Sequence, residues 1–164
     1  MEWRDEAILI AARPQGEGSA LIEVFARGHG RHLGLVRGGA SRRIAPLLQP
    51  GAQLDVAWRA RLDRHLARPP GTMTAEPLRS RAAVLGDAGA LAALASACAL
   101  IHAALPERAP HAALWQETVA LFDALAAGAG GAAGGTGLAH LRWALRVLGG
   151  LGFGPDLGAW PVTG

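Results

Sequence analysis

"QLDVAWRARLD", residues 53–63, alternates without a break. Leu54, Val56, Trp58, Ala60 and Leu62 fall on one side; Gln53, Asp55, Ala57, Arg59, Arg61 and Asp63 fall on the other. A period of two sends successive side chains to opposite faces of extended chain, so this stretch reads as a half-buried strand. Its apolar row needs other strands to close over it. Upstream, Ala7–Ala12 ("AILIAA") is a short apolar run expected to end at Pro14 and the turn "PQGEGS". Ala20–Ala26 ("ALIEVFA") is apolar and β-branched, "RGHG" is a turn, and Arg31–Arg37 returns, so the two flanks form a hairpin. "GGASRRIAPLLQPG", residues 38–51, is irregular with room for a helical turn. Downstream, "DRHLARPPGT" is a loop and Thr72–Leu78 supplies a fifth strand. Five strands in this length suit a small Greek-key barrel such as an OB-fold.

After Arg81 the period changes from two to three and four. Leu91, Leu94, Cys98, Ile101 and Leu105 make one helical stripe, and Leu114, Trp115, Thr118, Leu121, Phe122 and Leu125 a second, starting after Pro110. Leu138, Leu141, Leu145 and Leu148 predict a third buried stripe. The low-complexity "GAGGAAGGTG", residues 128–137, has no side chains to bury and reads as a flexible loop. The expected class is therefore α+β: an OB-fold domain over residues 1–80 and a helical domain over 81–164.

Composition narrows the function. Of 164 residues, 51% are hydrophobic, which argues against a disordered chain. The net charge of +3 is unevenly spread. Residues 1–81 hold thirteen Arg against eight acids; residues 82–164 hold three Arg against five. All sixteen basic residues are Arg, and a guanidinium forks onto phosphate oxygens as an ammonium does not. Cys98 is the only cysteine, which excludes an intramolecular disulfide and a cysteine-rich zinc site, and it is expected in a core. The N-terminus opens with charge rather than a signal-peptide apolar segment, and Ala88–Ile101 is too short to span a bilayer. A cytoplasmic location without membrane attachment is expected.

The catalytic patterns fail one by one. Gly28-His29-Gly30-Arg31-His32-Leu33 begins like G-x-G-x-x-G but lacks the third Gly and leads into a strand. Gly128–Ala133 matches G-x-G-x-x-A but follows a helix. His29 and His32 would point to opposite faces of extended chain, a poor ligand pair, and His65, His102, His111 and His140 are scattered. The four serines, at 19, 41, 80 and 96, lie in no G-x-S-x-G elbow, and Glu17 and Glu23 have no partner spacing for acid–base work. No catalytic residue, metal or cofactor is expected.

That leaves "RGHGRHLGLVRGGASRR", residues 27–43, with five arginines and no acid. Most charge runs are solvated faces. This one is single-signed and sits on a hairpin and adjoining loop of a barrel type that commonly holds oligonucleotides. Arg27, Arg31, Arg37, Arg42 and Arg43, with Arg13, are the expected phosphate contacts; Trp3 and Phe25 are the aromatic candidates for base stacking, and Trp58 is in phase with the core. The competing readings are a protein-interaction module whose arginines only solubilise it, and an unrecognised enzyme.

Residues 2–51, "EWRDEAILIAARPQGEGSALIEVFARGHGRHLGLVRGGASRRIAPLLQPG", resemble the N-terminal domain of the bacterial RecO family of recombination mediators. The likeness runs through Gly16-Glu17, Gly30-Arg31, the basic segment Arg37–Arg43 and Leu48-Gln49-Pro50. "LRWALRVLGGLGFGPDL", residues 141–157, is similar to the family's helix ending in a Leu-Gly-aromatic-Gly turn. The resemblance implies an N-terminal OB-fold and a C-terminal helical domain without catalysis. It implies binding of single- and double-stranded DNA, annealing of complementary strands and, with RecR, loading of RecA onto strands coated by single-strand binding protein (SSB). A nucleoid-associated cytoplasmic protein follows. The family's binding of the SSB C-terminal tail points to Arg142 and Arg146, four apart on a helix, with Trp143 between them. Family members continue beyond this endpoint, so the helical domain is expected to be incomplete. Trp160 stands where many relatives carry the first cysteine of a zinc site, so no zinc is expected.

Overall fold

The computed structural model describes residues 1–60, 70–128 and 135–153. Five strands, β1 (Glu2–Gln15), β2 (Ser19–Ala26), β3 (Gly30–Val36), β4 (Gln53–Arg59) and β5 (Gly71–Arg79), close into a barrel in the order β1-β2-β3-β5-β4. Helices α1 (Ala88–Ala104), α2 (Ala112–Ala126) and α3 (Gly135–Gly150) follow. Short 3₁₀ turns at Ala45–Leu47 and Ala82–Gly86 precede β4 and α1. Residues 61–69, most of the loop expected before β5, lie outside the described residues, as do most of the Gly-rich segment and Trp160.

The alternation is realised from Leu54 to Arg59, with Leu54, Val56 and Trp58 buried while Asp55, Ala57 and Arg59 face outward; Gln53, expected outside, is buried against Arg81, and residues 61–63 of the expected strand lie outside the described residues. β1 is longer at both ends than its apolar run. Its first half pairs with β4, from Glu2 opposite Arg59 to Ile8 opposite Gln53. Its outward row there carries cross-strand ion pairs, Arg4–Asp55 and Glu2–Arg59, rather than apolar side chains. At the other end Pro14 does not stop the strand. β1 pairs only with β2 there, and proline is tolerated at such an edge.

Two cores share the first strands. Ala7, Leu9, Ile22 and Val24 point into the barrel with Val56 and Trp58. Ile8, Ile10 and Phe25, on the opposite face, pack against Leu94, Ile101, Trp115 and Phe122 of the helices. Burial on both faces explains why these strands read as continuous apolar runs.

α3 corrects the expected third stripe. Trp143 and Val147 are its buried residues, whereas Leu138, Leu141 and Leu145 are exposed. The Trp143 indole donates to Thr118 Oγ1 at 3.0 Å and fixes the rotation of the helix. Counting leucines picked the wrong face because one indole with a buried acceptor outweighs three aliphatic chains. α3 also begins at Gly135, inside the segment expected to be loop.

Candidate nucleic-acid interface

The arginines of residues 27–43 fall into two groups at opposite ends of β3. Seven residues of extended chain separate them by about 20 Å.

The first group belongs to the joint between barrel and helices. Arg31 is largely buried: its Nη1 donates to Glu23 Oε1 at 2.5 Å and its Nε to the Leu105 carbonyl at 2.9 Å. Glu23 Oε2 lies 2.8 Å from His102 Nδ1 of α1. The Arg108 N–H donates to the Arg31 carbonyl, so the loop after α1 continues the sheet edge. Gly30 has φ +72°, and a Cβ there would lie 2.1 Å from the Ala109 carbonyl oxygen. Arg27 is exposed, with its guanidinium 5.8 Å from the centre of the Trp115 ring. Glycines in this half of the stretch therefore serve a close backbone approach as well as a turn.

The second group is Arg37, Arg42 and Arg43. All three are exposed. Gly38, at φ +72°, turns the chain out of β3, and Gly39 passes so close to β2 that a Cβ would meet the Ala20 Cβ at 2.7 Å. The Ala40 N–H donates to the Gly18 carbonyl at 3.3 Å, tying this loop to the β1–β2 turn. Ser41 accepts at its carbonyl from the Ile44 and Ala45 N–H groups and at Oγ from Ile44. That turn holds Arg42 and Arg43 outward ahead of the 3₁₀ turn. Arg13, also exposed, lies on the β1–β2 hairpin that the loop touches. No carboxylate among the described residues lies within ion-pair distance of Arg13, Arg37, Arg42 or Arg43. By contrast, Arg4, Arg31, Arg59, Arg79, Arg81 and Arg146 are each paired.

Neither stacking candidate is available. Phe25 is fully buried, and Trp3 lies under His29, whose ring stacks on it at 4.3 Å while Nδ1 meets Asp5 at 2.9 Å. Trp3 stacks in turn on Trp58. His32 closes the cluster edge-on, and burial depresses its pKa by disfavouring the charged form. Among the described residues no three His, Cys, Asp or Glu side chains converge as a metal site would require. No helix among them is long and apolar enough to cross a membrane.

On α3, Arg142 is exposed and Arg146 donates to Glu117 at 3.1 Å. Trp143 points inward and does not share their surface. Two features escaped the sequence. Arg81, almost wholly buried, donates to the Gly51 carbonyl, to Gln53 Oε1 and to Asp123 of α2, bolting barrel to helices. Thr72 and Thr74 line a slot beside Arg37; the alternation of β5 already placed both threonines on one face.

Comparison with known proteins agrees with this architecture in both halves. The family model described as Recombination protein O N terminal matches residues 1–75, and Recombination protein O C terminal matches residues 85–164. The chain belongs to the RecO family. Curated relatives named DNA repair protein RecO are 57% identical over 164 residues in Cereibacter sphaeroides, 51% over 165 in Dinoroseobacter shibae and 54% over 165 in Ruegeria. Each alignment covers all of this chain but 64–65% of the relative.

Proposed function

We propose that this chain is a non-catalytic DNA-binding part of a recombination mediator. It binds single- and double-stranded DNA, anneals complementary strands, and acts with RecR to load RecA onto SSB-coated strands in the cytoplasm, at the nucleoid. The observation that carries the DNA reading is the trio Arg37, Arg42 and Arg43 on one ordered turn, which has no carboxylate partner among the described residues, whereas six other arginines are paired there. A guanidinium without a protein partner is available for phosphate oxygens, and a cluster of one sign concentrates the field. Arg13 extends this surface along the hairpin. Arg27 lies at the far end of β3 and adds a separate contact, and Arg31 is left to the joint. Contact through phosphates positions DNA without reading sequence. The test is fluorescence anisotropy of a labelled single strand and its duplex at several salt concentrations. Log affinity falling linearly with log salt supports the reading; salt-independent binding or none refutes it.

A second surface suits the SSB tail. Leu141 and Leu145 are exposed beside Arg142, and the exposed Arg146 would exchange Glu117 for a peptide carboxylate, so an acidic peptide with an apolar tip would find both charge and an apolar seat. A tail-peptide titration against wild type and the Arg142→Ala, Arg146→Ala pair tests this, and equal affinity in both removes the site.

A further inference from the structure

β3 and β5 run parallel and meet at two register pairs only, Gly34–Gly71 and Leu35–Thr72. Gly34 permits the approach, since a Cβ there would come within 2.6 Å of the Met73 Cβ. Beyond Leu35 the strands part. β5 follows β4, pairing Met73 with Trp58 and Thr74 with Ala57, while β3 ends at Val36 and turns away at Gly38. The opening is a slot of about 590 Å³.

Its lining is divided by chemistry. Arg37 stands just past the end of β3, Thr72 and Thr74 on β5, and apolar surface comes from Leu35 and Ile44 on the β3 side and from Ala57 of β4 beside Thr74. Hydroxyl hydrogen bonds among the described residues involve Ser41, Ser80 and Thr118, not Thr72 or Thr74. Neither hydroxyl has a hydrogen-bond partner among the described residues. Arg59, at the slot's other cationic position, is neutralised by Glu2 at 2.9–3.2 Å. Among the described residues, the unbalanced positive charge in the slot therefore lies at Arg37. By contrast, the outward faces of β2 and β3, where such barrels commonly hold oligonucleotides, turn Leu21, Glu23, Arg31 and Leu33 onto α1 across a cleft.

We infer that the slot between β3 and β5 receives an unstacked base of a single-stranded nucleic acid whose phosphate sits at Arg37. This rests on the DNA reading above and adds strand selectivity to it. A base inside a duplex is stacked and paired on its hydrogen-bonding edge and cannot enter such a slot. A single strand can splay one out. Apolar side chains contact the base faces, and threonine hydroxyls both donate and accept, so the slot tolerates any base. Arg42 and Arg43 continue the phosphate path outside it and serve single strand and duplex alike.

The experiment uses the whole chain with a labelled single strand and a labelled duplex of mixed sequence. Ala57→Leu fills the slot from a half-buried position. It is expected to weaken single-strand binding about tenfold, the scale of one base contact, with the salt slope and duplex affinity unchanged. Thr72→Val with Thr74→Val removes both hydroxyls at nearly constant volume and is expected to weaken single-strand binding about fivefold, again without a change in slope. Wild-type single-strand affinity in both variants, or an equal loss on duplex, overturns the inference while leaving the basic loop in place. No salt-dependent binding of either DNA by the wild type overturns the DNA reading and this inference together.

Discussion

Replacing Arg81 by Met should loosen the barrel from the helices, at a cost that the structure sets. The Arg81 guanidinium is 1% exposed and donates to Gly51 O at 2.6 Å, Gln53 Oε1 at 2.7 Å and Asp123 Oδ1 at 2.9–3.0 Å. Methionine keeps most of the volume but orphans two buried acceptors, at about 1–3 kcal/mol each. Removing one partner of a buried ion pair independently suggests about 3–5 kcal/mol. Asp123 keeps Arg79 at 2.8 Å and is 34% exposed, so it adds little beyond this. About 3–5 kcal/mol in a chain of this length lowers the melting temperature by roughly 6–20 °C. Urea unfolding followed by circular dichroism and tryptophan emission measures it. The pair also has a pH signature. Burial pushes the Asp123 carboxyl up, but the hydrogen bond from Arg79 and the charge and hydrogen bond of Arg81 outweigh it, and the net shift is downward. A depressed folded pKa gives stability that is complete above the unfolded value of about 3.9 and is lost as pH falls through the folded value. Wild type should therefore lose stability in that acid window more steeply than Asp123→Asn. A loss under about 1 kcal/mol in Arg81→Met would refute the idea that Arg81 joins the two parts.

Burial pushes the Cys98 thiol up to about 12, so native protein near pH 8 should leave a disulfide reagent unreacted until denatured; a fast native reaction would contradict this. Leu141→Gln should change stability by less than about 0.5 kcal/mol, whereas Val147→Ala should cost about 2 kcal/mol in the same urea assay; the reverse order would mean that α3 is rotated. Gly30→Ala forces a Cβ onto the Ala109 carbonyl at positive φ and should cost about 2–5 kcal/mol; tolerance would contradict the close approach.

The barrel was legible because its strands alternate or are apolar on both faces. Leu54, Val56 and Trp58 declare one inner row, and the runs at Ile8–Ile10 and Leu21–Phe25 declare strands covered on two sides. The first residues of β1 were not legible, since Glu2 and Arg4 are held by cross-strand partners that sequence spacing does not reveal. α3 misled because Leu138, Leu141 and Leu145 mimic a core stripe, whereas Trp143 finds its acceptor on another helix. Residue type located the arginine cluster but could not divide it. Arg31 and Arg37 look alike in sequence, and only the carboxylate of Glu23, eight residues away in the chain, separates a joint from an exposed surface. Arg81 gave no signal, because a buried arginine is recognised by its acceptors, and these come from β4, the loop before it and α2.

Whether Arg37, Arg42 and Arg43 meet phosphates is read from the salt dependence of single-strand binding in their triple alanine variant. Each phosphate contact contributes about 0.7 to the slope of log affinity against log salt on a single strand, so losing three should flatten it by about 2. That flattening is expected, with the loss of affinity equal across DNA sequences and the thermal stability unchanged. A triple variant that binds with the wild-type slope and affinity would contradict it, and would leave the three arginines as a solvated turn.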